Sequence, residues 1–198
     1  MNQFGVVVGA AAPLDRVDVD TDQIIPKQFL KRIERSGYGE FLFFDWRFEA
    51  DGSSRPEFVL SREEYKAAPI LLAGRNFGCG SSREHAVWAL SDFGVRVIVA
   101  PSFADIFESN CFQNGLLPVT LPEEVVQGLM GRASSDPELQ VTVDLDLCRM
   151  SDTTGFETDF EVDPFRRRCL LEGLDDIGLT LRHVDEIQAF EDARAIAD

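Results

Sequence analysis

Apolar residues along the chain fall into short runs set apart by glycine, proline and acidic clusters. Residues 4–8 (Phe-Gly-Val-Val-Val) form the first run, which predicts a short strand closing at Gly9. Residues 68–73 (Ala-Pro-Ile-Leu-Leu-Ala), 95–100 (Val-Arg-Val-Ile-Val-Ala) and 116–119 (Leu-Leu-Pro-Val) are apolar without alternation, as expected of strands covered on both faces. Between them lie helical patterns over 82–92 and 103–111. The second has Ser102 as its expected N-cap, and Phe103, Ile106 and Phe107 are expected on one face. Strand, loop, helix and strand in this order build a parallel sheet. A helix over 122–132 opens with proline and two glutamates. Residues 139–147 alternate apolar and polar positions, which predicts a half-buried strand with 155–162 as its pairing partner. Asp163-Pro164 starts a helix ended by Gly173, and residues 185–197 are helical in pattern. The expectation is an α/β chain with a single domain over 1–198, in which 163–198 is a helical C-terminal extension.

The chain carries 35 acidic residues against 19 Lys and Arg, for a formal net charge of −16. This disfavours nucleic acid and anionic membranes as partners. An anionic ligand would need a local positive field. Residues 1–4 lack a basic segment and residues 6–8 are too short for a secretory signal or a membrane span. The four cysteines (Cys79, Cys111, Cys148, Cys169) form no C-x-x-C pair, and His85 and His183 are the only histidines. These features predict a cytoplasmic chain with reduced thiols and no metal ligands of its own.

Residues 74–86 (Gly-Arg-Asn-Phe-Gly-Cys-Gly-Ser-Ser-Arg-Glu-His-Ala) concentrate the candidate chemistry. Three glycines, two serines and two arginines fall at the carboxyl end of a predicted strand and the start of a predicted helix. Open α/β sheets bind ligands at that edge, and a helix N-terminus favours anions. A second reading stands beside it: Ser81-Ser82-Arg83-Glu84 fits a capping box, in which Ser81 only caps its own helix. Cys79 fits a small residue filling the turn, and His85 a packing role within the helix. Residues 18–26 (Asp-Val-Asp-Thr-Asp-Gln-Ile-Ile-Pro) place three aspartates at alternate positions, yet a calcium loop fails. Its sixth and twelfth positions hold Gln23 and Phe29 rather than glycine and glutamate. A structured acidic turn remains. Lys27, Lys31, Arg32 and Arg35 then lead into the aromatics Tyr38 to Phe48. They read as an amphipathic surface helix or a loop near an anion, with the aromatics in the core.

These motifs together resemble the swivelling domain of the aconitase superfamily. Residues 74–86 are similar to its serine loop and 18–26 to its N-terminal motif. Residues 165–181 resemble the small-subunit family of bacterial 3-isopropylmalate dehydratases. The resemblance implies a three-layer β/β/α fold and a heterodimer whose large subunit bears a [4Fe–4S] cluster. It also implies reversible dehydration of a small hydroxy dicarboxylate in leucine biosynthesis. It makes Ser81 the catalytic base, and Ser82, Arg83 and Gly80 the holders of a substrate carboxylate. Residues 26–38 become a substrate-recognition loop, with Leu30 against the apolar branch and Lys31 and Arg32 nearby. Related substrates (citraconate and methylmalate, or homoaconitate) and a non-catalytic anion-binding module are the alternatives. A serine hydrolase is not, because the loop lacks G-x-S-x-G spacing.

Overall fold

The computed structural model describes residues 1–31 and 36–195. Its centre is a parallel sheet of four strands: β2 (Ala11–Leu14), β3 (Ile70–Ala73), β4 (Val97–Ala100) and β5 (Leu117–Thr120), adjacent in that order. Ile70 pairs with Ala11 on one side and Val97 on the other, and Val97 with Leu117. β3 and β4 are buried throughout. Their side chains alternate between two cores, as the two-residue period of a strand requires. Leu71, Ala73, Ile98 and Ala100 enter one core with Tyr38, Phe43, Phe77, Val87 and Leu90. Ile70, Leu72, Val97 and Val99 enter the other with Val126, Leu129, Val141, Val143 and Met150.

The first core is covered by α1 (Thr21–Ile24), α3 (Glu84–Phe93) and α4 (Asp105–Gln113), with the aromatic segment that contains α2 (Phe44–Arg47). The second is covered by α5 (Glu123–Ser135) and an antiparallel sheet ordered β1 (Val7–Gly9), β6 (Val141–Asp144), β7 (Arg149–Asp152) and β8 (Glu157–Asp159). The layers therefore run antiparallel sheet, parallel sheet, helices, which is the expected β/β/α order.

β2 escapes the sequence pattern because its Ala-Ala-Pro-Leu run is short and contains proline. It is an edge strand, where Pro13 withdraws no hydrogen bond from the interior of the sheet. β5, at the other edge, accommodates Pro118 in the same way. Residues 155–162 do not pair with the 139–147 strand. β7 lies between, and β8 pairs with β7. Only Met150 of β7 is buried, so it carries no apolar alternation. Over residues 27–31 and 36–48 no continuous amphipathic helix forms among the described residues. Two 3-10 turns (Lys27–Phe29 and Gly39–Phe41) and α2 bring the aromatics together instead, with Phe29 stacked on Phe41 at 4.1 Å and Phe43 on Trp46 at 5.3 Å.

At the C-terminal end, α6 (Pro164–Glu172) is capped by the Asp163 carboxylate, which accepts from the backbone N–H groups of Phe165 and Arg166. Gly173 closes it at φ +70. Its Leu170 is fully buried in the second core, so this part of the expected extension belongs to the body. The Met1 amine fastens the chain start to the Gly173 carbonyl and the Asp175 carboxylate, each at 3.3 Å. α7 (Asp176–Leu181) and α8 (Val184–Ala195) lie outside both cores. No helix among the described residues is long and apolar enough to cross a membrane.

Leu72 tests this packing. The Leu72→Ala variant is expected to lose about 2–5 kcal/mol of unfolding free energy, because the sheet cannot collapse around the void. Urea denaturation followed by circular dichroism measures it.

Candidate functional site

The serine loop leaves β3 at Gly74, whose N–H donates to the Arg16 carbonyl at 3.0 Å. A Cβ there would lie 2.5 Å from that oxygen. The next residues run between two other chain segments like an irregular extra strand. Phe77 N–H donates to Ser102 O at 3.1 Å, and Ala104 N–H to Phe77 O at 3.0 Å. On the opposite side Gly78 N–H donates to Val19 O at 2.8 Å, and Thr21 N–H to Cys79 O at 2.9 Å. Gly78 and Gly80 adopt φ +78 and +87. A Cβ on Gly78 would sit 2.1 Å from the Phe107 ring, and one on Gly80 2.4 Å from the Asp20 carboxylate. Both positions need glycine for its backbone freedom and for its absent side chain.

Each aspartate of the acidic turn has its own task. Asp18 accepts from the Asn76 side-chain amide at 2.8 Å, holding Asn76 at φ +58. Asp20 caps α1 in a capping box with Gln23. Asp22 forms an ion pair with Arg83, and its other oxygen lies 3.4 Å from the Lys27 ammonium. The hydrogen bond from Arg83 is the main reason the Asp22 carboxyl stays below the usual carboxylate range; burial opposes it, and the charge of Arg83 and the contact with Lys27 add to the lowering. The Arg83 side chain is 11% exposed.

The predicted capping box at Ser81 does not form. α3 begins at Glu84 with Arg83 as its cap residue, and that residue makes no side-chain cap hydrogen bond. The Ser81 main-chain carbonyl is held by the Thr21 hydroxyl at 2.8 Å. Both serine side chains are exposed and make no hydrogen bond among the described residues. Ser102 likewise does not cap α4, whose cap residue is Ala104; its hydroxyl accepts from the Asn76 N–H at 2.9 Å. Starting α4 at Asp105 buries Phe107 but leaves Ile106 57% exposed.

A cavity of ≈ 230 Å³ opens between these segments. Thr21, Gly78, Gly80, Ser81, Ser82 and Arg83 form one wall, and residues 104–107 form the other. The structure thus brings together Gly80, Ser81, Ser82 and Arg83. It leaves Leu30 and Lys31 outside: Leu30 is half-buried against the first core and Lys31 is exposed. Arg32 lies outside the described residues. The sequence reading missed Asp22 and Thr21, which hold Arg83 and the Ser81 carbonyl, and Ile106 as a cavity wall. The alternation of the aspartates was the only signal of that scaffold. His85 packs between Tyr38 and Trp88, at ring distances of 5.3 and 4.7 Å, and burial lowers its pKa. Burial, followed by the charges of Asp20 and Asp18, raises the Cys79 thiol, which opposes thiolate chemistry there. No group of three or more His, Cys, Asp or Glu among the described residues is placed to hold a metal ion.

Comparison with known proteins places this geometry. The aconitase C-terminal domain matches residues 1–124, and the C-terminal domain of the 3-isopropylmalate dehydratase small subunit matches residues 176–197. The chain is 58% identical to the 3-isopropylmalate dehydratase small subunit of Brevibacillus brevis, over 98% of this chain and 100% of that protein. The chain belongs to the 3-isopropylmalate dehydratase small-subunit family. It is 60% identical to the small subunit of Rhodopirellula baltica and 56% to that of Bacillus subtilis, over 98% and 94% of this chain and 100% and 94% of those proteins. The crystal structure of a 3-isopropylmalate dehydratase from Methanocaldococcus jannaschii superposes with a TM-score of 0.67 at 26% identity, covering 94% of this chain and 99% of that one.

Two substitutions probe the scaffold. Gly78→Ala, which combines a positive φ with the Phe107 clash, is expected to cost about 2 kcal/mol or more in a thermal or urea melt. Asp22→Asn removes the partner of Arg83. A carboxylate whose folded pKa is depressed stabilises the fold above its unfolded pKa of about 3.9, and that contribution vanishes as pH falls through the folded value. The stability gap between the parent chain and Asp22→Asn is therefore expected to be full at neutral pH and to close below about pH 4. Asp22 is partly exposed, so solvent screening keeps the gap below about 1 kcal/mol.

Proposed function

We propose that this chain is the small subunit of a 3-isopropylmalate dehydratase, working with a large subunit in leucine biosynthesis. The reaction interconverts 2-isopropylmalate and 3-isopropylmalate through 2-isopropylmaleate. The observation that carries the reading is the unengaged Ser81 hydroxyl on a cavity wall beside Arg83, in a chain similar to small subunits over nearly its whole length. We read residues 1–198 as one swivelling domain, since both sheets and α6 share the second core.

On this reading the Ser81 oxygen, as an alkoxide, takes the proton from the carbon next to a substrate carboxylate. A serine hydroxyl is a weak base at neutral pH and needs donors that stabilise its oxyanion. The first-turn N–H groups of α3, which no side chain caps, supply a positive pole, and the Arg83 guanidinium supplies a full charge. Ser82, Arg83 and the Gly80 backbone bind the substrate carboxylate. Arg83 uses donors that its bond to Asp22 leaves available, since a guanidinium carries five N–H groups. Asp22 holds the guanidinium in place, and Lys27 pairs with the other Asp22 oxygen. Ile106 adds an apolar wall inside the cavity. Leu30, Lys31 and Arg32 are assigned to the recognition loop on the resemblance alone.

The [4Fe–4S] cluster that the family implies does not fit this chain. Cys79 sits in the serine loop, Cys111 and Cys169 are buried in α4 and α6, and Cys148 lies between β6 and β7. They form no common ligand set. We assign the cluster to the large subunit.

Reconstituting the variant chain with the large subunit tests the roles. Ser81→Ala is expected to reduce kcat by about 10²–10⁴-fold while the two proteins still co-elute. Near-normal turnover in an intact complex would remove Ser81 as the base. Arg83→Lys keeps the charge but loses the planar fork, and is expected to raise KM for the diacid about tenfold.

A further inference from the structure

A second cavity, of ≈ 280 Å³, lies where β2 ends, and it shares no lining residue with the serine-loop cavity. Arg16, Arg55 and Arg62 line it, with Trp46 and Phe58 as aromatic wall. In a chain with 35 acidic residues against 19 basic ones, three guanidiniums meeting in one concavity need a physical reason. Elsewhere arginines such as Arg149, Arg167 and Arg182 are matched by carboxylates. Here the matching is poor. Arg16 stacks over the Trp46 ring at 4.3 Å and forms no ion pair among the described residues. Arg62 donates to the Glu57 main-chain carbonyl at 3.1 Å and also has no carboxylate partner among them. Arg55 reaches Glu49 at 2.9 Å, yet its Nε is buried without an acceptor. The lining carboxylates Asp15 and Glu57 pair with none of the three arginines. Asp15 instead accepts from the Gln127 amide at 3.2 Å.

We propose that this cavity is a second oxyanion site, for a small dianion of the phosphate or dicarboxylate class. The two guanidiniums without ion-pair partners supply charge-assisted donors, and planar forks suit such oxygens. The Trp46 ring under Arg16 holds that side chain in place while leaving its N–H edge available. The site does not depend on the isomerase reading. It connects to the serine loop through the Arg16 carbonyl, which anchors Gly74.

The test follows the indole N–H of Trp46 by nitrogen–proton correlation spectroscopy of the full chain. The signal is assigned with Trp88→Phe, which leaves Trp46 as the single tryptophan. Sodium phosphate is titrated in one arm and sodium malonate in the other, each against sodium chloride of equal ionic strength. A saturable shift beyond chloride is expected, with Arg62→Gln or Arg16→Gln weakening binding about fivefold or more and Arg62→Lys less so. Saturation by phosphate alone identifies a phosphate-type ligand, and saturation by malonate alone a dicarboxylate. Shifts that track ionic strength in both arms, or binding unchanged in both glutamine variants, would overturn the proposal.

Discussion

Everything at the candidate active site depends on one backbone zipper. Residues 77–81 are hydrogen-bonded on one side to residues 19–21 and on the other to 102–104. The three segments follow β2, β3 and β4, so the parallel sheet delivers them side by side at its carboxyl edge. The approach is so close that neither Gly78 nor Gly80 has room for a Cβ. The zipper takes up backbone groups of Phe77, Gly78 and Cys79 and the Ser81 carbonyl. What lines the cavity beyond the zipper is Gly80, the two serines and Arg83, the residue that precedes α3.

Charge is arranged around this frame with little freedom left in it. Arg83 is nearly buried and would be a liability alone in the edge of a core; Asp22 compensates it, and Lys27 steadies Asp22 from the solvent side. The chain carries a large negative excess, and this ladder keeps a cation at the serines. Burial shifts two titratable side chains near the loop in opposite directions. The Cys79 thiol is raised by burial and by its acidic neighbours, and the His85 imidazole is lowered by burial between two aromatic rings. On the proposed reading, proton transfer falls to the Ser81 oxygen, whose hydroxyl makes no hydrogen bond among the described residues.

The two cavities draw on the same scaffold. Arg16 offers its carbonyl to the start of the serine loop and its guanidinium to the arginine cavity. One residue just after β2 therefore anchors the serine loop and lines the second cavity, through different atoms. The aromatic segment serves both sides too: Phe43 and Tyr38 fill the first core while Trp46 supports Arg16.

Local chemistry in the sequence determined several features. The apolar runs at 68–73 and 95–100 specified buried strands, because only strands covered on both faces leave so few polar positions. Gly173 marked a helix end by its freedom to adopt positive φ. The cluster of glycine, serine and arginine marked the loop. Tertiary structure decided the rest. Whether Ser81 caps a helix or faces a cavity is invisible locally, since the same four residues satisfy a capping box. The outcome was set by the Thr21 hydroxyl, sixty residues earlier, taking the Ser81 carbonyl. The proline-containing edge strand β2 and the polar strand β7 carry no pattern of their own and exist through their neighbours. The exposure of Ile106 and the pairing of Asp22 with Arg83 likewise come from segments far apart in the chain. A sequence records which residues can cap, pair or ionise. Which of those options is used depends on what long-range packing brings within hydrogen-bond reach.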